Sequence, residues 1–156
     1  MSSIQITYED DILPLDKNLE HSILQTLTVL LKKMNRDSEL LSLFFCSSAT
    51  IQQLNATYRE KDVPTDILSW SYQDDESIEQ SGLDDGPWGE LVICLEIVEM
   101  QAGKTGWTLE KELARLLVHG LVHLIGYDHE TEDEEKQMLS LETELLSYIG
   151  LNQIYP

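Results

Sequence analysis

Apolar and polar positions recur at two periods along this chain, and the changes between them mark out its secondary structure. The stretch SIQITY (Ser3–Tyr8) alternates with period two and carries β-branched residues, the pattern of a strand. From Leu15 to about Met34 the period lengthens. Leu19, Ile23, Leu27 and Leu30 fall on one face of a helix, and His21 lies off that stripe at an exposed helix position. LLSLFFC (Leu40–Cys46) is a short apolar run read as a buried strand. Ser47 and Ser48 are N-cap candidates for a helix reaching about Tyr58. Pro64 breaks the pattern before a strand over Ile67–Tyr72, followed by an acidic loop, a turn at GPWG and a strand in ELVICL. A short helix is expected from near Glu96 to a stop before Gly103–Gly106. Thr108 caps a longer helix to about Ile125, with Glu110 and Glu112 set against the positive end of its dipole. A last amphipathic helix spans about Glu132–Tyr148. Strands and helices interleave, so the expected fold is α+β, a small mixed sheet of about four strands with packed helices.

The length of 156 residues suits a single domain with one core over residues 1–156. Hydrophobic residues make up 42% and charged residues 25%, a globular balance, and no run approaches the length of a membrane span. The opening MSSIQITYEDD has neither a basic patch nor a long apolar stretch, so no signal or transit peptide is expected. Cys46 and Cys94 are the only cysteines; each sits in an apolar run with no close spacing, the pattern of small buried thiols in reducing surroundings. Cys94 near a metal is an alternative that no spacing supports.

The net charge of −19 changes the picture more, because a chain this acidic repels phosphate as a whole. The acids gather in DDESIEQSGLDD (Asp74–Asp85) and HETEDEEKQMLSLETE (His129–Glu144), read as a loop and solvated faces. Any anion site must therefore be local, around a few basic residues.

The segment HGLVHLIGYDH holds three of the four histidines, His119, His123 and His129. Residues four apart share a helix face, so His119 and His123 can offer two nitrogens to one metal. The surrounding LARLLVHGLVHLI is apolar nearly all round, the mark of a buried helix, where polar side chains need partners. Gly126 tolerates the left-handed conformation that ends helices, so the chain can reverse and return His129 toward the pair. Two histidines hydrogen-bonded to protein and a third at the surface are the alternative. Three protein nitrogens leave a coordination position open, the pattern of catalytic zinc, which lowers the pKa of bound water to roughly 7. The same histidine spacing marks a group of zinc peptidases whose general base is a glutamate after the first histidine, where this chain has Gly120. Asp128 and Glu130 are nearby carboxylates, and Asp128 can equally orient a histidine by a hydrogen bond.

HGLVHLIGYDH closely resembles the signature of the YbeY-type endoribonucleases. LNATYREKDVPTDILSW (Leu54–Trp70) looks like that family's second motif, and GELVIC (Gly89–Cys94) resembles a third block, with Glu90 where the family usually has aspartate. The blocks come in the family's order and cover nearly the whole chain. The resemblance implies a zincin-like fold and a bacterial cytoplasmic enzyme cleaving single-stranded RNA. Its role would be in ribosomal RNA maturation, notably at the 3′ end of the small-subunit RNA, and in ribosome quality control. It also implies one zinc ion on His119, His123 and His129, and a functional arginine at Arg59. Small-subunit ribosomal proteins or the ribosome are the implied partners, with no membrane and no DNA. Arg59 and Lys61 would give the local positive spot, since arginine grips phosphate with a fork. A surface ion pair of Arg59 with Glu60 or Asp62 is the alternative. Asp66 is read as capping or fixing the loop after Pro64, with a supporting place in the site, like that of Asp128 and Lys61, as the alternative. A metallopeptidase, or a non-catalytic assembly factor with a fourth zinc ligand such as Cys94, are the competing functions.

Overall fold

The computed structural model describes residues 3–72, 88–126 and 131–151. In them the elements run β1 (Ser3–Tyr8), α1 (Lys17–Lys33), β2 (Leu40–Phe45), α2 (Ser48–Arg59), β3 (Ile67–Ser71), β4 (Gly89–Ile93), α3 (Leu95–Thr105), α4 (Leu109–Leu124) and α5 (Glu132–Tyr148). This is the expected α+β arrangement. The four-stranded sheet has the order β1-β2-β4-β3; β1, β2 and β4 are parallel, and β3 runs antiparallel to β4 at the edge. The acidic stretch from Asp74 to Asp85 lies outside the described residues.

Alternation along the strands divides the core in two. Leu41, Leu43 and Phe45 of β2, with Leu91 and Ile93 of β4, join the stripes of α1, α4 and α5 in the main core. Val92, Cys94 and Leu68 turn to the other face and pack with Cys46, which precedes α2, and with Ile51 on it. The α1 stripe is buried at Ile23, Leu27, Leu30 and Leu31, and full burial of such side chains contributes roughly 1.5–3 kcal/mol each. His21 is exposed, as its position off the stripe requires.

Helix ends follow local chemistry. The α1 helix starts at Lys17 rather than Leu15, because the Asp16 side chain accepts from Asn18 N at 2.8 Å and Leu15 is buried ahead of it. Ser47, not Ser48, caps α2, accepting from Thr50 N at 3.1 Å. The α3 helix runs through Gly103 and stops at Gly106, where φ is 76°. Only the second glycine takes the left-handed conformation that ends a helix. Thr108 caps α4 as expected, accepting from Lys111 N at 3.1 Å.

The α4 helix lies close on β3 and β4 because glycines permit it. A Cβ on Gly120 would stand 2.9 Å from Leu91 Cδ2 and 3.0 Å from Ile67 Cδ1. A Cβ on Gly89 would stand 2.7 Å from Leu124 Cδ1. A glutamate at position 120 would therefore point into packed aliphatic side chains. The residue a zinc peptidase needs there would require Leu91 and Ile67 to shift.

Candidate active site

A cleft of about 710 Å³ runs between α4 and the free edge of β3. His119 and His123 line one wall, with Arg115 one turn before them. The helix is buried on most sides, at Leu116, Leu117, Val118, Gly120, Leu121 and Val122. The two histidines are half-buried, because their shared face opens on the cleft. Their rings stand nearly perpendicular, with Nε2 atoms 3.1 Å apart.

Behind His119, its Nδ1 lies 2.6 Å from Oε1 of Glu142, a buried residue of α5. An ionised Glu142 could only accept, so Nδ1 would donate to it and Nε2 would carry the lone pair that a metal needs. Two zinc–nitrogen bonds of about 2.0–2.1 Å in a tetrahedral arrangement would set the nitrogens ~3.3 Å apart. The observed spacing fits such an ion, and a carboxylate behind a ligating histidine is the usual outer support. Gly126 ends α4 at a φ of 98°, the left-handed turn expected of it. His129, Asp128 and Glu130 lie outside the described residues, and among the described residues no group of three His, Cys, Asp or Glu side chains could hold a metal.

The opposite wall is the loop between α2 and β3. Asn55, buried on α2, donates from Nδ2 to Val63 O at 3.0 Å and draws the loop in. Asp66 Oδ1 accepts from Ile67 N at 2.7 Å and from Thr65 Oγ1 at 3.3 Å, so it fixes the loop, and it also lines the cleft. Asp66 O accepts from Cys94 N and Tyr72 N donates to Trp88 O. By antiparallel alternation the backbones of Ile67, Ser69 and Ser71 therefore face the open edge. Arg59 caps that edge: its Nη2 donates to Ser69 O at 2.6 Å, and its guanidinium sits 5.5 Å from the centre of the Trp70 ring. Among the described residues it makes no ion pair with Glu60 or Asp62; Asp62 accepts instead from Gln52. Lys61 is exposed and also lines the cleft.

Three side chains at or behind the cleft were not assigned to it in the sequence. Glu112, assigned to the helix dipole, is buried and accepts from Arg115 Nη2 at 2.6 Å. Arg115 faces the cleft because it precedes His119 by four residues, a spacing that could have revealed it. Glu142 stands among Met138, Leu145 and Leu146 on the buried face of α5. A glutamate inside an apolar stripe was its only signal. Cys94 is buried on the α2 side of the sheet and does not line the cleft. Burial raises its thiol pKa and pushes that of Cys46 up to about 12, so neither side chain readily becomes a thiolate. Glu90 accepts from the Tyr72 hydroxyl at 2.9 Å; burial first, then this bond, pushes Tyr72 up to about 12.

The chain matches the family described as Endoribonuclease YbeY over residues 5–150. It belongs to that family. Endoribonuclease YbeY proteins of Staphylococcus aureus strains JH9 and Newman are 40% identical over 119 residues, 75% of this chain and 77% of theirs. A solution structure of a Thermotoga maritima protein is similar with a TM-score of 0.56 and 26% identity, over 92% of this chain and 89% of that one. Membership places the chain among hydrolases acting on RNA. No helix among the described residues is long and apolar enough to cross a membrane.

Proposed function

We propose that this protein is a zinc-dependent endoribonuclease specific for single strands. It matures ribosomal RNA at the 3′ end of the small subunit and serves ribosome quality control in the cytoplasm. The observation that carries the reading is the approach of the His119 and His123 Nε2 atoms to 3.1 Å in a cleft that Arg59 also lines. His119, His123 and His129 would hold the zinc. When bound it supplies Lewis acidity toward a phosphate oxygen or a water. Glu142 keeps the Nδ1 proton on His119 and fixes the ring. Arg59 has five N–H donors, so it can keep Ser69 O and still offer a fork to phosphate. There it opposes charge that grows in the transition state. Lys61 and Arg115 add positive charge where the rest of the chain is acidic. The crowding at Gly120 counts against a peptidase, and the position of Cys94 off the cleft counts against a closed structural zinc. The acidic faces suit docking on basic ribosomal proteins.

The test is elemental analysis of protein purified without chelators, beside cleavage of single-stranded RNA, duplex RNA, single-stranded DNA and unfolded protein. Zinc near one per chain, with cleavage of single-stranded RNA alone and loss of both in His123→Ala, is expected. RNA cleavage undiminished by metal removal overturns the zinc assignment, and peptide cleavage overturns the substrate.

A further inference from the structure

Arg59 stands where two faces of β3 meet. On the α4 side lies the cleft. On the α2 side lies a group of aromatic rings that the cleft chemistry leaves unused. Trp70 alternates with Ser69 and Ser71, so its ring turns to the α2 side, where it packs against the smaller core cluster. Tyr58 of α2 stands edge-on to it, with centroids 5.9 Å apart and an interplanar angle of 87°. Tyr58 is 62% exposed. A lone exposed tyrosine is ordinary. This one is braced by Trp70 and precedes the arginine that spans both faces, touching Ser69 O and covering Trp70. Lys61 follows within the same turn of chain, so cations and rings interleave in a protein of net charge −19.

We propose that Tyr58, braced by Trp70, is a stacking site for the nucleobase adjoining the phosphate that Arg59 holds. The strand would cross the β3 edge, with phosphate on the cleft side and a base turned to the α2 side. A base's π-face stacks on an aromatic ring whatever its sequence. A base inside a duplex is already stacked and cannot turn out without cost. The site therefore selects single strands without reading sequence. This inference rests on the RNA-cleaving reading and adds the origin of its strand preference.

The test uses the full-length zinc-loaded protein and an end-labelled single-stranded RNA. Dissociation constants come from fluorescence anisotropy and kcat and KM from cleavage, for wild type, Tyr58→Ala and Tyr58→Phe. Tyr58→Ala should raise Kd and KM about fivefold or more, with kcat within about twofold and the melting temperature unchanged. Tyr58→Phe should match wild type, because stacking needs the ring and not the hydroxyl. Substrates carrying one abasic nucleotide, scanned along the strand, should reveal a position at which Tyr58→Ala no longer matters. The proposal is overturned if Tyr58→Ala binds as wild type does, if Tyr58→Phe loses as much as Tyr58→Ala, or if no abasic position removes the effect. A wild-type protein that neither binds nor cleaves RNA overturns the functional reading and this site together, a pattern distinct from the other three.

Discussion

The α4 wall of the cleft and the α2–β3 wall hold their functional side chains by different means. His119 and His123 rise from a helix buried on most sides, and the buried Glu142 grips His119 from behind. Arg59 stands at an exposed helix end and is steadied by one backbone carbonyl and the face of Trp70. Two nitrogens that are to hold one ion must meet within tenths of an ångström, and a wall built into the core can give that precision. A guanidinium must only reach a phosphate that arrives from solvent, so that wall can stay at the surface. The contrast separates their failures: damage to the α4 wall should cost metal and fold, and damage to the other should cost RNA chemistry alone.

The largest effect belongs to the histidines. His119→Ala and His123→Ala should each weaken zinc binding by more than the roughly 10–100-fold typical of outer-sphere losses, and cleavage should vanish with the metal. Circular dichroism must accompany the metal analysis, since the helix belongs to the core. Full zinc occupancy in both variants would remove the α4 wall as the metal site.

Arg59→Glu comes next. Losing a charge-assisted contact made in the transition state costs about 3–4 kcal/mol, or a factor of roughly 10²–10³ in rate. Zinc content and melting temperature should stay at wild-type values, because Arg59 is exposed and bonds only a strand edge. Arg59→Lys should fall between, keeping charge without the fork. Single-turnover cleavage measures it, and loss of zinc in Arg59→Glu would erase the difference between the walls.

What could be read in advance follows the same division. His119 and His123 were legible because a four-residue spacing on an apolar helix is a local pattern. Gly126 was legible because its turn is local too, and φ there is 98°. Glu142 was not, because its use depends on a contact 23 residues away that periodicity does not encode. Glu112 was read through the helix dipole, a local rule, yet its burial is decided by what packs on α4. Local signals also placed the strands, but not the order β1-β2-β4-β3, which rests on long-range pairing. The ion-pair alternative for Arg59 failed for a similar reason. Sequence neighbours offered Glu60 and Asp62, but the fold offered the carbonyl of Ser69.

Glu142→Gln sharpens the test of the α4 wall. The amide keeps the shape and an acceptor but gives up the charge that favours the Nδ1 proton. Zinc affinity should fall about 10-fold, and Glu142→Leu should approach the roughly 100-fold end of the range for such supports. Competition with a calibrated chelator measures it; equal affinity in all three proteins would make Glu142 a packing residue only.

Gly126→Val tests the turn that ends this wall. Forcing a side chain into the left-handed region costs roughly 1–2 kcal/mol, and β-branching adds to it. Zinc affinity should drop by about 5–30-fold if the strain is relieved by moving the segment that carries His129. Unchanged affinity with a lowered melting temperature would confine the role of Gly126 to ending α4.

The smallest expected effect comes from Arg115, which belongs to the α4 wall by position and to the phosphate side by chemistry. Its guanidinium donates to Glu112 at 2.6 Å while lining the cleft. Replacing Arg115 alone would strand a buried carboxylate, and stability and binding would change together. The double substitution Glu112→Gln with Arg115→Gln removes both charges and leaves amides that can bond each other. If Arg115 meets an RNA phosphate, KM should rise a few-fold, and the slope of log affinity against log salt should shrink by about one counterion's worth, ~0.7 for a single strand. Zinc content should not change. Anisotropy titrations over a series of potassium chloride concentrations give the slope directly. An unaltered slope would make the Glu112–Arg115 pair a brace for α4, leaving Arg59 and Lys61 to meet the RNA backbone.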